Sequence, residues 1–313
     1  MIAQRAIIQE LKTEYLYHLA VLRLDLLDPE ISGNKWFKLK RNLDEARRLG
    51  HTKILTFGGA YSNHIAAFAA ACKRFGFSSV GVIRGEKQVE TNETLARALH
   101  DGMHLHYVSR EDYKLKEEKK FLNDLHRKFG QYYLIPEGGN NLQGILGCAE
   151  ILSGQKNYDY VICACGTGAT FAGLCISSGE AQKIIGISVL KGENKMVDEV
   201  RQTLHAFDKA KHKKILGNEI LQEDVLNENC IINSYAFKGY ASFDPDWYHF
   251  KTRFEHTHNI PLDYVYTSKM MYAVFALLEN KKFRPDARIL IVHSGGLQGN
   301  KGFETRYHLT PSL

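Results

Sequence analysis

The sequence predicts an α/β protein with mostly parallel sheets covered by helices on both faces. Three observations lead there. Short β-branched runs alternate with helical patterns along most of the chain. At 313 residues, 44% apolar and 24% charged, the chain exceeds the size at which one core usually stops growing, so two domains, or one with a lobe, are expected. No repeat, low-complexity tract or long linker breaks the alternation.

In chain order, helical patterning over Asn42–Leu49 leads to a strand at Lys53–Phe57, and a Gly-Gly turn ending in Ser62 opens a helix over Asn63–Phe75. Strands at Ser79–Ile83 and His104–Val108 flank a helix over Thr91–His100. A helix over Glu111–Phe129 places Phe121, Leu125 and Phe129 on one stripe, with Lys119, Asn123 and Arg127 opposite, which is the pattern of a packed helix with a wet face. Tyr132–Ile135 is a strand, Leu142–Leu152 a helix and Asp159–Cys165 a strand, followed by a helix over Thr170–Ser178. Lys183–Leu190 and Arg288–His293 are strands, and Ser268–Asn280 is a helix before the last of them. Tyr160–Gly179 carries no charge over a length that could span a bilayer, but the interior Gly166-Thr167-Gly168 favours a buried strand turning into a buried helix.

The net charge is +6, from 41 basic and 35 acidic residues. Its densest basic run, Lys209–Lys214, has no aromatic interleaving and no DNA-binding motif, so a solvated face is expected rather than a nucleic-acid site. Mild attraction of anionic substrates fits this sign. Six cysteines without CxxC spacing indicate reduced, buried thiols in a cytosolic protein. Met1–Glu14 mixes charges with apolar residues and has no cleavage site, so no signal peptide is expected.

Five segments carry candidate chemistry. Lys35 lies in Gly33-Asn34-Lys35, followed by Trp36, Phe37 and Leu39, which would form a dry wall. A lysine in a dry site loses part of its charge, as an amine must before it attacks a carbonyl. Gly166-Thr167-Gly168-Ala169-Thr170 follows a strand and opens a helix, so backbone N–H groups and the positive helix end converge on one anion. A dinucleotide fingerprint is incomplete there, because Phe171 stands where the third glycine belongs, and no Walker-type lysine follows. Ser62-Asn63-His64 is a second helix start, suited to a carboxylate. Tyr266-Thr267 and His293-Ser294-Gly295-Gly296 complete the set.

In that order, and over nearly the whole chain, these segments resemble the fold-type II pyridoxal 5'-phosphate (PLP) enzymes. The resemblance is greatest to the branch of D-cysteine desulfhydrase and 1-aminocyclopropane-1-carboxylate (ACC) deaminase. It implies two α/β domains as in the tryptophan synthase β fold: residues 1–39 with 145–313 form the larger, PLP-binding one, and 40–144 the smaller. It also implies that Lys35 holds PLP as an imine and Asn63 bonds its phenolic oxygen. Gly166, Thr167, Gly168, Ala169 and Thr170 would grip the phosphate, with Thr267 and Ser294 near the pyridine ring. Ser62, Asn63 and His64 would bind the substrate carboxylate, with Ser62 over the ring as proton handler or nucleophile. Tyr240 and Tyr266 would line the substrate side, although either position equally suits a packed tyrosine with its hydroxyl bonded. Pro136–Gly144 would be a hinge between domains rather than catalytic.

ACC deaminases carry glutamate where Thr267 stands, facing the pyridine nitrogen. Threonine cannot protonate that nitrogen, so the electron sink would be weaker. Thr267 and His64 therefore point to β-elimination from D-cysteine, giving pyruvate, hydrogen sulfide and ammonia, with ACC deamination as the alternative. Trp36, Phe37, Tyr61, Ala66, Cys148 and Tyr264 depart from both branches and are expected around the substrate. The implied partner is a small amino acid, with no nucleic acid or membrane, in a cytoplasmic homodimer without a metal. Two other classes compete with this reading. A nicotinamide-dependent dehydrogenase lacks both the complete glycine fingerprint and an acid within Ser188–Lys191, where the next strand ends, and a non-catalytic ligand binder would most simply have lost Lys35.

Overall fold

The computed structural model describes residues 6–87, 89, 91–190, 194–207, 216, 217, 226 and 229–309. The chain begins with β1 (Ile7–Leu11) and β2 (His18–Arg23), an antiparallel pair, and leaves them through α1 (Asn34–Arg48). It then alternates β3 (Lys53–Gly59), α2 (Asn63–Phe75), β4 (Ser78–Arg84), α3 (Glu93–His100), β5 (His104–Val108), α4 (Arg110–Lys114), α5 (Lys119–Phe129) and β6 (Tyr133–Ile135). These four strands form a parallel sheet in the order β5-β4-β3-β6. A turn and α6 (Leu142–Cys148) lead to β7 (Tyr160–Cys165), α7 (Ala169–Ser177), β8 (Lys183–Ser188), α8 (Asn194–Phe207), β9 (Leu216–Gly217) and β10 (Cys230–Ile232). Helices α9 (Pro245–His258) and α10 (Thr267–Glu279), then β11 (Arg288–His293) and α11 (Asn300–Tyr307), complete the fold. The second sheet has seven strands ordered β1-β2-β11-β7-β8-β10-β9, parallel except at β1.

Alternation along β7 shows why this sheet is covered twice. Tyr160, Ile162 and Ala164 join one apolar cluster, with Met270, Val274 and Leu277 of α10, while Val161, Cys163 and Cys165 join another, with Phe171 and Leu174 of α7. Full burial of each such aliphatic side chain stabilises the fold by about 1.5–3 kcal/mol. The small sheet is covered in the same way, by α1 and α2 on one face and by Tyr113 and Leu125 of α4 and α5 on the other.

Local chemistry sets the helix ends. Ser62 caps α2, and Gly76, at φ 76°, ends it. Asp244 caps α9, which has Pro245 in its first turn.

The strands from β3 to β8, and β11, lie where the sequence predicts them, within two residues at each end. Three expectations change. First, α1 begins at Asn34, eight residues before Asn42, because Gly33 adopts φ 68° and the Asn34 N–H is taken by the carbonyl of Ser294. Second, the single helix expected over Glu111–Phe129 is two, and the break lets Tyr113 and Phe121 both pack on Phe57, with ring centroids 6.1 and 6.4 Å away. Third, β1 and β2 precede the first predicted element. The uncharged stretch Tyr160–Gly179 is β7 and α7, and no helix among the described residues is long and apolar enough to cross a membrane. All six cysteines are free, five of them buried. The basic run Lys209–Lys214 lies outside the described residues.

Helices α1 and α6 cross at a glycine, since a Cβ on Gly147 would overlap the carbonyl of Phe37. Backbone cannot yield as a flexible side chain does. Gly147→Ala is expected to destabilise the protein by about 3 kcal/mol, read as a lower urea midpoint with an unchanged slope.

Candidate active site

A cavity of about 420 Å³ lies where the carboxyl ends of β3 and β4 face those of β7 and β11. Lys35, in the first turn of α1, lines it. Its Nζ donates to Asn34 Oδ1 at 2.9 Å, and no carboxylate pairs with it among the described residues. Burial, and then the charge of Lys38 one turn on, lower its pKa to about 7. The positive end of α1, whose first turn holds no acid, acts in the same direction.

Asn34 ties three parts of the site together. Its N–H donates to Ser294 O at 3.1 Å, its Nδ2 to Thr170 Oγ1 at 2.9 Å, and its Oδ1 receives Lys35. A side chain on Gly33 would overlap the Ser294 carbonyl, so only glycine permits this approach.

Two helix starts aim at the cavity. Gly168, at φ 79°, precedes α7, and Gly166, Thr167, Gly168 and Thr170 all line the wall. Thr167 Oγ1 is buried with no hydrogen-bond partner, and Lys38 Nζ has no hydrogen bond or ion pair among the described residues. At the other start, Ser62 Oγ caps α2 by accepting from Ile65 N, so its own proton remains free. Asn63 lies against Gly296, where a Cβ would stand 2.8 Å from its Nδ2.

His64 is buried, and its role follows from a hydrogen-bond count. The single Thr56 hydroxyl proton goes to Ile135 O at 2.8 Å, so His64 Nε2, 2.9 Å from that oxygen, must carry a proton and donate. Nδ1 then holds a lone pair, and it has no partner. Burial, with the charges of Lys35 and Lys38, holds the ring neutral. A neutral imidazole with a bare Nδ1 does not attract a carboxylate, so the helix N–H groups are the better receptor there.

Tyr266 and Tyr240 form one wall, their rings at 72° with centroids 6.3 Å apart. The Tyr240 loop is irregular, with positive φ at Phe237, Gly239 and Ala241. Lys269 of α10, fully buried, ties it down by donating to Gly239 O at 2.5 Å and Ala236 O at 3.3 Å.

The cavity gathers Lys35, Ser62, Asn63, His64, Gly166, Thr167, Gly168, Thr170, Tyr240, Tyr266 and Ser294. Ala169 and Thr267 stand outside its wall. The Thr267 hydroxyl donates to Asp263 Oδ1 and accepts from Asp263 N, so the expectation that it faces a pyridine nitrogen is corrected, and Ser294 is the hydroxyl on that wall. The dry wall is also corrected. Trp36 stacks on Phe75 at 5.6 Å, and Phe37 and Leu39 join separate cores, while Ala164, Cys165, Phe171 and Leu190 line the cavity instead. Of the six departures expected around the substrate, only Tyr61 lines it. Tyr264 stacks on Phe303 at 4.7 Å in a remote aromatic core. The 136–144 turn is more than a hinge, since Glu137 and Gly138 line the cavity. Asn34 and Lys38 went unpredicted as site residues, although Lys38 sits one helical turn from Lys35, a spacing that puts both on one face.

These residues fit PLP. A neutralised amine suits its aldehyde, while an orphaned hydroxyl, an uncompensated ammonium and a glycine-lined helix start suit its phosphate.

Parallel sheets meeting at such a cavity define a fold-type II PLP-dependent enzyme, and comparison with known proteins agrees. The model of the pyridoxal-phosphate dependent enzyme family matches residues 9–295, and the chain belongs to that family. It is 29% identical over 308 residues to a putative 1-aminocyclopropane-1-carboxylate deaminase of Thermotoga maritima, covering 93% of each chain. It is 27% identical over 302 residues to the mitochondrial bifunctional D-cysteine desulfhydrase/1-aminocyclopropane-1-carboxylate deaminase of Arabidopsis thaliana, covering 89% of this chain and 72% of that one. A crystal structure of an ACC deaminase homologue shares the fold, with TM-score 0.81 at 24% identity, covering 97% of this chain and 93% of the other.

Two expected outcomes follow. Lys35 titrates near 7 in the folded apoprotein and near 10.5 when unfolded, so the unfolded chain binds more protons between those values and stability rises with pH across that window. Lys35→Met removes that contribution. Its gain over wild type in urea denaturation should be largest at pH 7 and below, closing as pH approaches 10.5. Lys269→Met removes a charged donor from two carbonyls that each keep another, Gly239 N–H for Ala236 O and the Ser242 hydroxyl for Gly239 O, so it should loosen the Tyr240 loop by about 1–3 kcal/mol in all and raise KM more than it lowers kcat.

Proposed function

We propose that the enzyme is a D-cysteine desulfhydrase, converting D-cysteine and water to pyruvate, hydrogen sulfide and ammonia. The observation that carries this reading is the capping of Thr267 on Asp263, which leaves the Ser294 hydroxyl rather than a carboxylate on the wall expected at the pyridine nitrogen. Expelling a thiolate from Cβ needs a weaker electron sink than opening a cyclopropane.

The α-carboxylate binds the backbone donors at the start of α2. PLP, when bound, supplies electron withdrawal from Cα. Gly166, Thr167, Gly168, Thr170 and Lys38, which line the cavity, would hold its phosphate with the backbone of Ala169, and Asn63 would take its phenolic oxygen. Lys35 removes the Cα proton, a role suited to an amine whose pKa sits near neutrality. Ser62 keeps a free proton for the opposite face, and Tyr240 and Tyr266 close the substrate side and limit water. Thr267 acts through the turn it caps rather than by touching the cofactor. The reading includes a homodimer in the cytoplasm, with residues 40–144 as the smaller domain, as the family resemblance implies.

ACC deamination is the second reading, favoured by the names of the Thermotoga and Arabidopsis relatives. Purified protein should be yellow, and borohydride should bleach it and fix the cofactor covalently, except in Lys35→Ala. Hydrogen sulfide from D-cysteine, with no 2-oxobutanoate from ACC, is the expected result. The reverse pattern selects ACC deaminase, and silence on both substrates rejects both.

A further inference from the structure

Four charged side chains line the cavity: Lys35, Lys38, Arg84 and Glu137. The first two face the proposed cofactor positions. Glu137 is answered by Lys116, whose Nζ stands 3.5 Å from its carboxylate. Arg84 makes no hydrogen bond or ion pair among the described residues, and its guanidinium lies 5.7 Å from the centroid of the Tyr113 ring. With Lys38 assigned to the cofactor phosphate, Arg84 is left as an uncompensated positive charge on the wall.

Its position says what it meets. Arg84 ends β4 and pairs in register with Gly59 of β3, the strand that delivers α2. Its Nη2 is 3.6 Å from where a Cβ on Gly59 would stand, so the exposed head group lies beside the turn that leads into α2. The α-carboxylate site belongs to the turn after β3, and Arg84 to the neighbouring strand, about 5 Å further out. Across the cavity, Tyr240 provides an aromatic face. A ligand anchored at α2 thus extends its side chain toward a guanidinium that lacks a counter-ion.

We propose that Arg84 is the specificity residue of this enzyme and selects amino acids whose side chain ends in a second acidic group a few bonds beyond Cβ. This rests on the lyase reading above and narrows its substrate class. With S-(carboxymethyl)cysteine the Cα proton passes to Lys35, and the Cβ–S electron pair leaves with sulfur as mercaptoacetate. Water then releases pyruvate and ammonia.

The test uses PLP-loaded enzyme and both enantiomers of a matched pair, S-(carboxymethyl)cysteine and S-ethylcysteine, with pyruvate release as readout. Calorimetric binding of 2-aminoadipate against norleucine, neither of which has a leaving group on Cβ, gives a second readout free of turnover. Wild type should prefer the acidic member of each pair by about tenfold or more, as a charge-assisted, forked contact implies. Arg84→Gln should erase that ratio, and Arg84→Glu should turn it toward S-(2-aminoethyl)cysteine. Equal handling of both members by wild type overturns the proposal. So does a parallel loss on both members in Arg84→Gln, which would assign Arg84 to the α-carboxylate or to structure. A binding preference that vanishes in Arg84→Gln, without pyruvate from any substrate, upholds Arg84 and rejects the lyase reading.

Discussion

An amine held in a dry cavity without a carboxylate beside it is costly, because each factor that lowers its pKa also penalises the charged form of the folded protein. Lys35 carries that cost through desolvation, Lys38 and the positive end of α1. The compensation is structural. Asn34 gives Nζ an uncharged acceptor and, by its other contacts, joins α1 to the 294–296 turn and to Thr170. Gly33 lets the backbones meet closely enough for this. A carboxylate at the same place would have stabilised the ammonium and spoiled the nucleophile.

The rest of the site follows from how parallel sheets end. Strand β3 turns into α2 and β7 into α7, so two positive helix ends converge on one space from separate sheets. One, with Lys38 beside it, suits a phosphate and the other a carboxylate, which spaces the two anionic groups. The nearby acids are answered by other groups: Asp263 is enclosed by Thr267 and by the N–H groups of residues 265–267, and Glu137 faces Lys116. The cavity wall is left cationic, and Arg84 makes that excess available to a ligand's far end.

Much of this was legible in the chain. Glycines at turns, β-branched runs and a serine at a helix start are local signals, and local sterics and hydrogen bonding decide them wherever they occur. For that reason α2 and β11 lie residue for residue where the sequence puts them. Strands β1 and β2 escaped because an edge pair with no clean alternation has no period to detect. The early start of α1 escaped because its first N–H is satisfied by Ser294, a residue some 260 positions away.

By itself the sequence determined the α/β alternation, the family and most residues that gather at the cavity, since these rest on periodicity and on motifs that are short and contiguous. Only the tertiary structure decided which neighbours of those motifs face inward. Trp36 and Thr267 turn away because Phe75 and Asp263 offer them better partners, whereas Lys38, Asn34 and Arg84 turn in. Side-chain direction is set by whichever partner packing brings within a few ångströms, and no spacing along one strand or helix encodes a partner that arrives from another.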